Sequence, residues 1–396
     1  MLARKAVKNV LIKTINSLGV SSKYIGTPKA FISTEDWVKK NNKLAGTFFK
    51  EIHPAKSVTE KPPITIEESI PKAFKDEYNR IQPQAFVAGI PMGRVWGRNG
   101  AVVTPDDLLL GDISREFGKQ GGKFREEHSI FDLIKLPSVR FVKGRVAVVA
   151  CAGSFNYFHW LYDTLPRIGL LKQAGLFDSI DYFVIDYLGS KFQKDSLEVL
   201  GVPVEKIISC DGDRQFHLQA EELIITSLPS NLGSTSDWTV KFLRDTFLKN
   251  DNVLPQRTKN IYLSRKKATL RFLINEQEIL DLLAPYNFAP FYAEDHSISE
   301  TAKAFSECNS VVGVHGAGFA NLSFCSPQAK VIDIIAPKHF DTNFWILSNH
   351  AKADFAYIFG EGERLPEDTD LIKNKINEDI YVNPESFKTL LKKLQF

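Results

Sequence analysis

Apolar and polar positions alternate in two rhythms along most of the chain. Arg140 to Ala152 (RFVKGRVAVVACA) ends in a near-continuous apolar run, and residues 155 to 174 then follow helical spacing. YFVID at 182 to 186 reads as a buried strand, a helix follows near 190 to 200, and ELIIT at 222 to 226 is a further strand. The rear half repeats the theme with IYLS (261 to 264), a helix at 275 to 284, FAPFYA (288 to 293) and a helix at 299 to 308. VVGV (311 to 314), a helix after Gly318 and KVIDII (330 to 335) complete it. Strands alternating with helices form βαβ units and parallel sheets, so the pattern predicts an α/β fold of two Rossmann-like halves. Trp238 to Lys249 has the spacing of a connecting helix, and Asn383-Pro384 caps a last one, PESFKTLLKKL.

Ahead of this region the rhythm is weaker. Ala85 to Leu110, broken by Gly93, Gly97 and Gly100, predicts short strands and hairpins. Residues 25 to 80 are polar and rich in lysine and proline, and read as an irregular arm. The first two dozen residues set Arg4, Lys5, Lys8 and Lys13 among Val7, Val10, Leu11, Ile12 and Ile15, the pattern of a basic amphipathic helix. Lysine interrupts it too often for a membrane span, and it lacks the apolar core and cleavage site of a signal peptide. Such a helix either lies on an anionic membrane surface through residues 1–20 or packs on the first domain.

Composition narrows the partners. A chain of 396 residues, 43% hydrophobic and 24% charged, is long enough for two globular units, and a net charge of +3 calls for neither nucleic acid nor a strongly acidic partner. Cys151, Cys210, Cys308 and Cys325 are scattered without a CxxC pair, which argues against a disulfide framework or zinc site and for reduced core thiols in a cytoplasmic protein.

Three stretches carry chemistry. In VVGVHGAGFANLSF (311 to 324) an apolar strand runs into His315-Gly316-Ala317-Gly318 and then a helix, an arrangement that frees backbone N–H groups for phosphate. Asp333, at the end of the next strand, is placed to accept bonds from ribose hydroxyls. Asn321 stands where the dinucleotide fingerprint has its third glycine, so a nucleotide site fits better than an NAD site; the plain alternative is a tight turn. In YLSRKKATLRFLINEQEIL (262 to 280) a strand ends just before Arg265, Lys266, Lys267 and Arg271, cations that point into the crevice of an open sheet or else form a solvated basic face. In FNYFHWLYDTLPRIGLL (155 to 171) Asn156, His159, Asp163 and Arg167 form one polar stripe, with Pro166 kinking the helix beside them. Histidine or aspartate there serves as general base, or the stripe is a satisfied internal network. Asp211-Gly212-Asp213 and Asp368-Thr369-Asp370 match a metal-holding Asp-x-Asp pattern, but short acidic turns arise readily by chance.

Together with GRVWGRNGAVVTPDDLLLGD, these stretches resemble the signature of glycosyltransferase family 61 over residues 93 to 360. The resemblance implies a GT-B fold of two facing Rossmann-like domains with a cleft between them, and an inverting, metal-independent transfer of sugar from a nucleotide donor, a UDP-sugar as first choice, to a glycan hydroxyl. It implies diphosphate contacts from Arg265 and Arg271, phosphate contacts from His315, Gly316, Ala317 and Gly318, and Glu294 or Asp333 near the nucleoside. Asp163, then His159, are the choices for base, with Asn156 and Arg167 on the acceptor side. The expected division is a basic helix and arm (1–80), an acceptor-side domain (81–237), a donor-binding domain (238–365) and a tail with its helix (366–396). The setting is capsular or other surface polysaccharide synthesis, cytoplasmic or peripheral on the inner face of the membrane. No cofactor, metal or nucleic acid is called for. The competing classes are a sugar-nucleotide-binding component of an assembly complex without transfer activity, and an NAD-dependent oxidoreductase.

Overall fold

The computed structural model describes residue 14 and residues 21–118, 121–123, 128–211, 215–229, 235–248, 257–366 and 377–396. The basic N-terminal segment lies outside these, apart from Thr14, as do Gly212-Asp213 and Asp368-Thr369-Asp370. Among the described residues no helix is long and apolar enough to cross a membrane. The chain divides into two compact units, residues 1–55 with 83–229 and residues 56–82 with 230–396. Strands are numbered in chain order.

The first unit is built on one mixed sheet. Its parallel part runs in the order β14 (His217–Thr226), β11 (Arg140–Val148), β12 (Tyr182–Ile185), β13 (Ile207–Ser209). Val146, Ala147 and Val148 are all buried, as the continuous apolar run requires of a strand covered on both faces. On its far edge β14 pairs antiparallel with β5 (Ala85–Pro91) and β6 (Arg94–Trp96), and the sheet continues through β7 (Ala101–Val103), β8 (Leu108–Leu110) and β1 (Ala30–Ile32). β2 (Phe48–His53) flanks β5, and β9 (Glu116–Gly118) pairs with β10 (Gly121–Lys123). A buried Arg94–Asp107 ion pair, joined by Ser22, pins the β6–β8 hairpins.

The second unit carries a five-stranded, all-parallel sheet in the order β16 (Phe288–Phe291), β15 (Lys259–Leu263), β17 (Cys308–Val314), β18 (Lys330–Ile335), β19 (Asp354–Phe359). Helices Glu276–Leu283 and Pro384–Lys393 pack together on one face, where Ile279, Leu283, Leu390 and Leu391 meet Val312, Val314, Ile332 and Ile334. Helices Asp237–Phe247, Ile298–Ser306 and Asn343–His350 gather on the other around the 3₁₀ segment Ala317–Phe324. The sheet is thus doubly wound, with the second strand outside the first, and reverses direction between β15 and β17.

Residues 25 to 80 are not an irregular arm. They supply β1 and β2 to the first unit, and to the second the hairpin β3 (Lys56–Thr59) with β4 (Asn79–Gln82). Ile64 then bridges to Ala356 on β19. The polar, proline-rich composition reflects short strands, of which β1 and β2 find their partners outside the segment at β8 and β5, so tertiary pairing overrides local propensity. Phe74 anchors the insertion, fully buried against Trp345, Phe340, Phe355 and Tyr357 with ring centroids 5.0 to 6.4 Å away. Phe74→Ala is therefore expected to cost about 3–5 kcal/mol in denaturant unfolding. A loss below about 1 kcal/mol would show that the insertion is dispensable to the second unit's core.

Candidate functional site

In a doubly wound sheet ligands bind outside the carboxyl ends of the strands, where the winding reverses. That place in the second unit lies between the ends of β15 and β17, and both chemistry-bearing turns of this half leave from it. Glycine makes the convergence possible. A Cβ on Gly313 would stand 2.9 Å from the Leu263 backbone oxygen, and one on Gly318 2.9 Å from Leu263 Cδ2. A Cβ on Gly316 would come within 2.0 Å of Arg265 Nη1. The guanidinium of Arg265 therefore lies directly over the Gly316 backbone.

Arg265 donates to the Leu270 carbonyl (2.9 Å) and Arg271 to the His315 carbonyl (2.9 Å), while the Nε–H of each is buried without a partner. Arg271 holds φ at +60°, a left-handed conformation that a side chain adopts at a cost and that recurs in ligand clamps. Burial, then the neighbouring Arg271 charge, brings the pKa of Arg265 down to about 10 against the pull of Glu294. Two cations in mutual repulsion with unmet donors form a receptor for an anion. Glu294 itself is exposed, on the turn after β16.

His315 and Asp333 form a buried pair, Nδ1 to Oδ2 at 2.7 Å, with Asp341 3.5 Å from Nε2 and the Phe344 ring packed 4.7 Å away. Asp333 thus faces His315, and its second oxygen is buried without a partner. Burial alone would discharge the imidazole, yet the two carboxylates outweigh it and raise the pKa to about 9. Gly316 is extended and begins the 3₁₀ segment, with Ala317 and Gly318 half-buried beyond it. The segment is not the α-helix expected after Gly318: the Asn321 amide turns back to donate to the Gly318 carbonyl (2.9 Å). On the other side of the turns, Tyr262 and Ser264 donate to Glu276 (3.1 and 3.0 Å), and a cavity of about 310 Å³ opens between Arg265, Val314 and Gln277.

The first unit holds a second constellation. His159 and Asp163 pair at 2.6 Å, Nδ1 to Oδ2, each partly exposed. Their helix follows the carboxyl end of β11 and contains a π turn, Trp160–Thr164, closed by the Leu165 N–H on the Trp160 carbonyl. Pro166 accounts for the irregularity, since it offers no N–H to the carbonyl four residues back and its ring crowds that turn. The expected stripe divides here. Asn156 is exposed and caps the helix by accepting from the Phe158 N–H (2.9 Å), whereas Arg167 is buried. Its guanidinium donates to the Ala150 carbonyl (2.5 Å) and Thr226 Oγ1 (2.8 Å), clamping the ends of β11 and β14 where this sheet reverses. Sequence reading missed Arg115, which burial pushes down to about 10 while Asp163 pulls it up, and Asp341. Neither stands in a motif that marks it. Among the described residues no group of three or more His, Cys, Asp or Glu side chains is arranged to hold a metal.

Residues 157–332 match the family model described as Glycosyltransferase 61. The matched stretch begins beside His159, contains both turns of the rear site and ends at the residue before Asp333. It supports glycosyltransferase family 61 and, with it, a glycosyltransferase. No curated protein matches the chain.

Two outcomes test this geometry. Gly316→Ala should displace the Arg265 guanidinium and weaken anion binding, probed with inorganic pyrophosphate, about 10- to 100-fold by calorimetry, the loss of a hydrogen bond to a charged group, with Tm held. Unchanged affinity would remove Arg265 from the site. His315 should titrate by NMR near 9 rather than its ordinary 6.5. Its charge then stabilises the fold in full below pH about 6.5, and that contribution disappears as pH rises through about 9. Titration at or below 6.5 would contradict the carboxylate pairing.

Proposed function

We propose, on the support that residues 157–332 give to family 61, that the protein is an inverting glycosyltransferase of GT-B type. It moves a sugar from a nucleotide-diphosphate donor, a UDP-sugar as first choice, to a glycan hydroxyl in the synthesis of capsular or other surface polysaccharide. The observation that carries the reading is the meeting of Arg265, Arg271 and the Gly316 turn at the reversal point of the second unit's sheet.

The reaction is a single displacement. The acceptor oxygen forms a bond to the anomeric carbon as the bond from that carbon to the diphosphate breaks, and the bonding pair leaves with the nucleoside diphosphate. Arg265, Arg271 and the backbone amides from Gly316 to Gly318 meet the growing charge on the leaving group, so the reaction as proposed runs without a metal. The acceptor proton goes to the His159–Asp163 pair. A carboxylate 2.6 Å from Nδ1 fixes the proton there, and the other ring nitrogen then takes the acceptor proton while Asp163 stabilises the imidazolium. In this reading His159 is the base and Asp163 the group that orients it, with Asp163 itself as the alternative base.

The assay pairs turnover with donor affinity. His159→Ala and Asp163→Asn should each reduce kcat about 100-fold or more with donor affinity unchanged, the scale of general-base catalysis. Full turnover in both variants would refute the base assignment. Donor binding with neither transfer nor hydrolysis in the unaltered protein would instead indicate a binding component.

A further inference from the structure

The cavity of about 310 Å³ beside Arg265 has one wall that the chemistry described so far does not use. Phe272 and Ile274 line it and stay 39% and 67% exposed, while Leu273 between them is buried at 7%. This is the alternation of an extended strand, one side chain inward and its two neighbours outward. The backbone is firmly held. Phe272 N–H donates to Asp379 (2.9 Å), the Ile380 N–H to the Phe272 carbonyl (2.8 Å) and the Ile274 N–H to the Ile380 carbonyl (2.7 Å). Two large apolar groups are thus held exposed beside the cavity on a hydrogen-bonded backbone. Arg265, a guanidinium with an unmet donor, lines the same cavity, and left-handed Arg271, with its own unmet donor, directly precedes Phe272 along the chain. Gln277 adds a neutral amide to the wall, able to donate and accept.

An exposed phenyl ring and an aliphatic side chain beside a guanidinium with an unmet donor complement a molecule with a flat heterocycle at one end and a diphosphate at the other. We propose that Phe272 and Ile274 form the shelf on which the donor's heterocyclic base lies, with Gln277 at the edge of the ring. This rests on the nucleotide-donor reading and extends it. Asp333, by contrast, faces a buried histidine.

The test separates base from phosphate. UDP, GDP and inorganic pyrophosphate would each be titrated by calorimetry into the full chain and into Phe272→Ala and Ile274→Ser variants. Loss of base stacking should weaken nucleoside diphosphates about 5- to 100-fold in Phe272→Ala, and less in Ile274→Ser, with pyrophosphate affinity held within about twofold. Unchanged nucleoside diphosphate affinity in both variants overturns the shelf. A parallel loss of pyrophosphate and a fall in Tm overturns it too, since those residues would then support the fold. Failure of all three probes to bind the unaltered protein is a different result, one that removes the donor reading itself.

Discussion

Close approach of β17 to the end of β15 is the constraint on which the rear site depends. Three glycines within six residues, Gly313, Gly316 and Gly318, let that approach happen, and the tightest contacts they permit are to Leu263 and Arg265. A side chain at Gly313 would push against backbone, which cannot yield cheaply; one at Gly316 would push against a guanidinium, which can. Gly313 and Gly318 therefore belong to the packing of the sheet and Gly316 to the chemistry. At Gly316 the group that needs the space a β-carbon would fill is the protein's own arginine.

Once the strands meet, charge decides what the meeting place can hold. Burial lowers the pKa of both Arg265 and Arg271, and the Arg271 charge lowers that of Arg265 further, so an anion that relieves the repulsion is favoured over water. His315 is held between Asp333 and Asp341, whose charges raise its pKa to about 9, and its carbonyl holds Arg271. The buried pair is thus joined to the clamp through a single residue, with the imidazole serving the inside and the carbonyl serving the site.

Legibility followed the range of the interactions. Strand β18 falls at 330 to 335 as its apolar run indicates, because a strand buried on both faces writes its boundaries into composition. Arg265, Arg271 and the glycine turn were visible because strand ends in an open sheet point cations and amides the same way. Asp341 was invisible, since it reaches His315 from a loop with no motif of its own. Residues 25 to 80 misled because β1 finds its partner at Leu108–Leu110 and Phe74 its cage at 340 to 357. Arg167 shows a third failure: its place on the helix was right, but helical spacing does not say whether a guanidinium turns to solvent or to the open carbonyls of its own sheet.

That inward turn has a consequence for the first unit. Both sheets reverse direction once between parallel neighbours, and in the second unit the reversal point is lined by unmet donors and a cavity. In the first, Arg167 closes it by taking the Ala150 and Thr226 oxygens, so its charge is already answered by backbone dipoles. Polar chemistry is displaced outward along the same helix, to where Pro166 prevents a regular turn and the π turn at 160 to 164 lies beside the paired His159 and Asp163. One winding pattern therefore yields two arrangements: guanidinium groups with unmet donors where the crevice is open, and a hydrogen-bonded His159–Asp163 pair where it is filled.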